Sequence, residues 1–177
     1  MDSRVELIRS RIRDVPDFPK PGILFKDIAP LLEHAEAFRA CIDLFAERWA
    51  GQKLDSIVAL ESRGFPFGGA LAYRLGLGLG MVRKRGKLPY EKRGIDYALE
   101  YGTDRIEMHV DAVARGDRVL LVDDLLATGG TASAAVRLIE GEFGAEVVGC
   151  AFVVDLAFLN GAARLTPPPI HALVKYE

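Results

Sequence analysis

The amino-acid sequence predicts an α/β fold, a central mostly parallel sheet flanked by helices, and three observations predict it. Short apolar runs, SIVALE (56–61), GMVRK (80–84), RVLLVD (118–123) and EVVGCAFVVDL (146–156), read as strands buried on both faces. Stretches of helical apolar spacing, FPFGGALAYRLG (65–76) and TASAAVRLIEGEFG (131–144), alternate with them, as they do in a parallel sheet covered on both sides. Half of the 177 residues are apolar, which suffices for one domain with its own core.

Val5, Ile8 and Ile12 share one face of a first helix. The proline-rich PDFPKPG (16–22) ends it, because proline lacks the N–H donor and disfavours helix in the residue before it. A second helix carries Phe38, Cys41, Ile42, Phe45 and Trp49 at helical spacing, with Gly51 as its stop. Beyond it the strand and helix alternation begins. Within that alternation IDYALEYG (95–102) and RIEMHV (105–110) change to period two, the pattern of an antiparallel hairpin or flap. No repeat, low-complexity tract or long linker divides the chain, so residues 1–177 are expected to form a single domain.

The formal charge is -2 with both signs interspersed, which argues against a coat for nucleic acid or an anionic membrane and favours a small ligand. Cys41 and Cys150 fall in apolar stretches and are expected as buried free thiols rather than a disulfide. The amphipathic start, MDSRVELIRSRIRD, is no signal-peptide core, and the glycine-broken run from Gly68 to Val82 is interrupted by Arg74. No membrane span and a cytoplasmic location are expected. His34, His109 and His171 match no triad or metal spacing and are assigned surface or capping roles.

In an open sheet of this kind ligands sit beyond the carboxyl ends of the strands, where SRG (62–64), RKRGK (83–87) and DDLLATGGT (123–131) fall. Thr128, Gly129, Gly130 and Thr131 lie at a turn entering a helix, where unpaired backbone N–H groups and the helix dipole favour an anion. This is a phosphate cradle. It is not a Walker A loop, since GxxxxGK[ST] is absent, and GLGLG (76–80) lacks the GxGxxG spacing. Asp123 and Asp124 must then answer to another part of the ligand. Ionised carboxylates only accept hydrogen bonds, which suits the two donors of a cis-diol, and a ribose 5-phosphate offers both features. A lone Asp here would more simply end a strand; the pair joined to TGGT favours the ligand.

At these residues VLLVDDLLATGGT resembles the phosphoribosyl-diphosphate (PRPP) motif of the type I phosphoribosyltransferase family: a hydrophobic run, two acidic residues, two apolar residues and a small phosphate loop. The resemblance extends over nearly the whole chain, through PDFPKPGILFKDI, ALESRGFPFG, RKRGKLP, YALEYG and the closing ALVKYE, and is closest to the branch that takes adenine. It implies a type I phosphoribosyltransferase-like fold with a small N-terminal hood (1–34) and a mobile catalytic flap (88–100). The implied reaction is transfer of the 5-phosphoribosyl group from PRPP to adenine, giving AMP and pyrophosphate in purine salvage. Magnesium bound with PRPP and a homodimer are implied as well, with no nucleic-acid partner.

Carried over residue by residue, the resemblance gives Asp123 and Asp124 to the ribose hydroxyls and Ala127, Thr128, Gly129, Gly130 and Thr131 to the 5-phosphate. Glu61, Ser62 and Arg63 occupy the pyrophosphate loop, with a non-proline cis peptide expected before Ser62. Arg83, Lys84 and Lys87 are counter-charges to pyrophosphate, some of them serving a neighbouring subunit. Leu24, Phe25 and Leu156 match the apolar clamp on the purine, with Arg63 at the ring edge; the choice of Leu156 over Asp155 allows one inserted residue in GEFGAE. Glu100, beside Tyr101 in the flap, is the candidate to manage the purine proton, and Arg63 is the second catalytic candidate. A PRPP-binding regulatory protein would keep the phosphate loop and lose catalysis. A phosphoribosyltransferase for another 6-substituted purine is the other alternative; the 6-oxopurine members of the family generally place a lysine against the exocyclic oxygen, and this sequence has none at the matching place near Leu156.

Overall fold

The computed structural model describes residues 2–98, 102–165 and 167–177. Asp2 opens α1 (Ser3–Ser10) by accepting from the backbone N–H of Arg4 at 2.9 Å. The helix stops before Ile12, because the chain turns into β1 (Arg13–Pro16), which pairs antiparallel with β2 (Leu24–Asp27). The proline-rich segment therefore closes a hairpin rather than merely ending a helix, and Asp17 Oδ1 accepts from Gly22 N at 2.8 Å across its turn. α2 (Ala29–Glu33) and α3 (Ala35–Trp49) follow. His34 caps α3, its Nδ1 accepting from Ala37 N at 3.2 Å, and the stripe of Cys41, Ile42, Phe45 and Trp49 is buried as its spacing requires.

β3 (Ser56–Leu60), β4 (Gly78–Lys84), β5 (Lys92–Ala98), β6 (Thr103–His109), β7 (Arg118–Leu126), β8 (Glu146–Leu156) and β9 (Ile170–Tyr176) form one sheet in the order β5-β6-β4-β3-β7-β8-β9. β4, β3, β7, β8 and β9 run parallel, and the β5–β6 hairpin joins the β4 edge antiparallel. α4 (Gly64–Leu75) leads from β3 to β4, while α5 (Gly130–Arg137) begins the connection from β7 to β8. The chain thus leaves the central neighbours β3 and β7 in opposite directions. Their carboxyl ends form a switch point, the crevice such sheets use for ligands.

Two apolar layers cover the sheet. On one face α1, α3 and α4 bury Ile8, Phe45, Trp49, Phe67 and Leu71; on the other α5 and the hairpin bury Ala134, Ala135, Ile106 and Met108. Cys41 and Cys150 are free and buried, and burial pushes each thiol up to about 12. The helix expected over 131–144 is shorter. After Arg137 it widens into a π turn, Leu138–Phe143, capped by Gly144, and a π turn takes in more chain than an α turn would. His171 is neither surface nor cap: it is half-buried in β9, with its ring 6.4 Å from that of Phe45. Among the described residues, no helix is long and apolar enough to cross a membrane.

Candidate active site

β7 does not stop at its acidic pair, since Asp123 and Asp124 both lie within the strand and Leu125 and Leu126 complete it. The chain then turns through Ala127 and Thr128 to Gly129, which has φ 76° and stands as N-cap of α5. A side chain at Gly129 would be doubly unfavourable: the backbone is left-handed, and an added Cβ would lie 2.4 Å from Gly161 O. The close approach is mutual. A Cβ on Gly161 would lie 2.1 Å from Ala127 O and 2.9 Å from Gly129 N. Gly161 opens a short 3₁₀ turn, Gly161–Arg164, that braces the back of the loop from Ala127 to Gly129. Nothing local in the sequence marks that contact.

Glu61, Ser62, Arg63, Lys84, Asp123, Asp124 and the segment from Leu125 to Ala132 line one cleft of about 360 Å³ at the switch point. The loop after β3 forms its second wall, and the Glu61–Ser62 peptide is cis, as expected from the sequence. Arg63 Nε forms an ion pair with Asp124 Oδ2 at 2.8 Å, and its guanidinium lies 4.9 Å from the ring centre of Phe25. Asp123 Oδ1 accepts from Asp124 N at 2.8 Å. Burial, followed by the neighbouring Asp124 charge, pushes Asp123 well above the usual carboxylate range. Burial also raises Asp124, against the opposing pull of Arg63. The Arg63 contact lacks hydrogen-bond geometry, so the buried Asp124 Oδ2 is without a hydrogen-bond donor among the described residues. Such an acceptor fits a sugar hydroxyl or the water of a hydrated cation.

Lys84 lines the cleft from the end of β4, its Nζ held by Asp104 Oδ2 and by the Tyr97 hydroxyl at 2.8 Å. Tyr97 and Asp104 sit on the β5–β6 hairpin, where period two predicts strands but gives no role to either residue. Glu61 is committed locally: its Oε2 accepts from Lys84 N at 2.8 Å and Arg83 Nε at 3.2 Å. Burial would raise its carboxyl, but these donors outweigh it and hold Glu61 below its ordinary value. Arg83, Lys87, Leu24, Phe25 and Leu156 do not line the cleft, although Phe25 touches it through Arg63. Leu24 is half exposed on the β1–β2 hairpin, and Leu156 is buried at the end of β8 opposite Tyr176. Lys26 Nζ, 3.9 Å from the Tyr176 ring centre, ties that hairpin to the same end of the sheet. Glu100 and Tyr101 lie outside the described residues. Among the described residues no cluster of three or more His, Cys, Asp or Glu side chains is placed to hold a metal.

Residues 28–167 match the model of the phosphoribosyl transferase domain. The chain is 54% identical over 172 residues to the adenine phosphoribosyltransferase of Anaeromyxobacter dehalogenans (strain 2CP-1), covering 97% of this chain and 99% of that protein. The crystal structure of adenine phosphoribosyltransferase from Thermoanaerobacter pseudethanolicus superposes with a TM-score of 0.94 at 50% identity, covering 97% of this chain and 99% of that one. The enzyme from Saccharomyces cerevisiae, solved with adenine and an imino-altritol bisphosphate, gives a TM-score of 0.92 at 40% identity over 98% of this chain and all of that one.

Proposed function

The chain belongs to the phosphoribosyl transferase domain family, and from that premise we propose that its cleft transfers the 5-phosphoribosyl group of PRPP to adenine, releasing AMP and pyrophosphate in purine salvage. The observation behind this is the sharing of one cleft by a phosphate-binding helix start, a buried acidic pair and two cations, Arg63 and Lys84. The protein is a pentosyltransferase, as its adenine-specific relatives are.

Each part of the cleft has a task. The N–H groups at Gly129, Gly130 and Thr131, with the threonine hydroxyls, hold the 5-phosphate at the positive end of α5. Ala127 and Thr128 complete that loop. Asp123 and Asp124 accept from the ribose hydroxyls. Ser62, Arg63 and Lys84 face pyrophosphate, and Glu61 acts there through the Arg83 and Lys84 that it orients. Asp123 and Asp124 offer hard oxygen acceptors that would suit the water shell of a magnesium ion carried on PRPP, whose charge would offset that of the leaving pyrophosphate. Arg83 and Lys87, outside the cleft of one chain, serve that of a second copy in a homodimer. Leu79, Met81 and Arg83 share one face of β4, and Leu79 and Met81 are about 40% exposed there. Sedimentation velocity should therefore give a dimer; a monomer at micromolar concentration would remove this role from Arg83 and Lys87.

As the bond from ribose to pyrophosphate opens, positive charge develops on the ring, so the protein needs no nucleophilic side chain. Holding the reactants in line lowers the barrier by roughly 7 to 11 kcal/mol, and fixed donors stabilise the departing charge. Phe25 and Leu24 of the N-terminal hood (1–34), with Leu156, clamp the purine, and Arg63 reads its edge. Glu100, on the catalytic flap (88–100), hydrogen-bonds the purine and manages its proton during attack. Glu100→Ala should lower kcat/KM by about 10²-fold or more and leave PRPP binding within a few-fold; near-normal turnover would dismiss Glu100. The two free, buried thiols accord with a reducing, cytoplasmic setting.

A further inference from the structure

We propose that Tyr97 and Asp104, both on the β5–β6 hairpin, are positioning residues that fix the Lys84 ammonium in the cleft and, through Thr131, couple it to the phosphate loop. The Tyr97 hydroxyl is the junction. It accepts from Lys84 Nζ at 2.8 Å, lies 3.3 Å from Thr131 Oγ1, and is 3.3 Å from Asp104 Oδ2. Tyr97 is 4% exposed, so its ring is set by packing rather than free to swing. Asp104 Oδ2 accepts from Lys84 Nζ, while its Oδ1 accepts from Arg105 N at 2.7 Å.

These contacts divide the work. Lysine has three donors on a four-carbon stem with costly rotamer freedom. Two of the donors are taken by Tyr97 and Asp104, and among the described residues nothing takes the third, which leaves it for an anion in the cleft. Holding the stem before a ligand arrives removes ordering cost from binding. The nearby Asp104 charge opposes an anion only weakly, because it is already paired and partly open to water. Through Tyr97 the hairpin thus touches both anion-binding ends of the cleft, the pyrophosphate side at Lys84 and the 5-phosphate side at Thr131. Asp104 touches only the first.

The inference rests on the assignment of Lys84 to the pyrophosphate side, so binding is measured apart from turnover. Calorimetric titration with pyrophosphate and magnesium, and separately with ribose 5-phosphate, would be run on the full chain, Tyr97→Phe and Asp104→Asn. Tyr97→Phe should weaken both ligands by about three- to tenfold, and Asp104→Asn should weaken pyrophosphate alone by a similar factor. Thermal midpoints and the adenine KM should stay at parental values, which a merely structural loss would not allow. Unchanged or tighter pyrophosphate binding in either variant would overturn the proposal. Catalysis is tested separately: a parent that binds both ligands and forms no AMP counts against the transferase assignment and leaves this pattern to be decided by calorimetry.

Discussion

Asp123 and Asp124 stand next to each other in β7 with one guanidinium, that of Arg63, against their two charges. Because burial and mutual repulsion raise Asp123 above its unfolded value, the folded state holds a proton there more tightly than the unfolded chain. Its charge therefore costs stability at neutral pH, and the cost disappears as pH falls through the raised value towards about 4. Asp123→Asn should raise Tm at pH 8 by about 2–4 °C, with a smaller gain at pH 5, while kcat/KM falls. Thermal unfolding by circular dichroism at the two pH values checks this. A variant less stable at both would contradict the account. The aspartates, the phosphate loop and Arg63 were legible because each lies in a contiguous motif. Tyr97 and Asp104 were not, because their meaning depends on Lys84 and Thr131, which only the folded sheet brings to them.

At the scale of elements, the loop from Ala127 to Gly129 and the turn Gly161–Arg164 fit only against each other. α5 presents its first N–H groups to the cleft only if Gly129 can take a left-handed turn against Gly161. Gly161→Ala would push Ala127 O and Gly129 N aside while leaving every side chain named for the phosphate in place. Its dissociation constant for ribose 5-phosphate should rise by about tenfold or more, as expected when a preformed anion site loses its geometry, with adenine binding little changed. Equal affinity in calorimetry would mean that the loop absorbs the added methyl elsewhere. The sequence showed α3 and α4 through helical spacing, and β3, β4, β7 and β8 as short, continuous apolar runs. It concealed the β1–β2 hairpin, where prolines suggested only an interruption, and the π turn, whose apolar spacing differs little from that of a helix.

At the level of the whole molecule, the β-α-β order of the sequence was enough to foresee ligand segments at the carboxyl ends of β3, β4 and β7, while the switch point between β3 and β7 came from the sheet order. The edge positions were less readable: β9, behind a run of prolines, was not anticipated, and β5–β6 emerged only as a hairpin of uncertain docking. Both bear on function. β9 carries Tyr176 to the hairpin that bears Phe25, and β5–β6 brings Tyr97 to the cleft. The central claim is that these pieces make one adenine site beside one PRPP site. It is tested most directly by giving the purified protein PRPP and magnesium with adenine, hypoxanthine or guanine in turn, and following nucleotide and pyrophosphate together. The account predicts AMP and pyrophosphate in equal amounts from adenine and almost none from the 6-oxopurines; turnover that favoured hypoxanthine or guanine, or no turnover with any base, would contradict it.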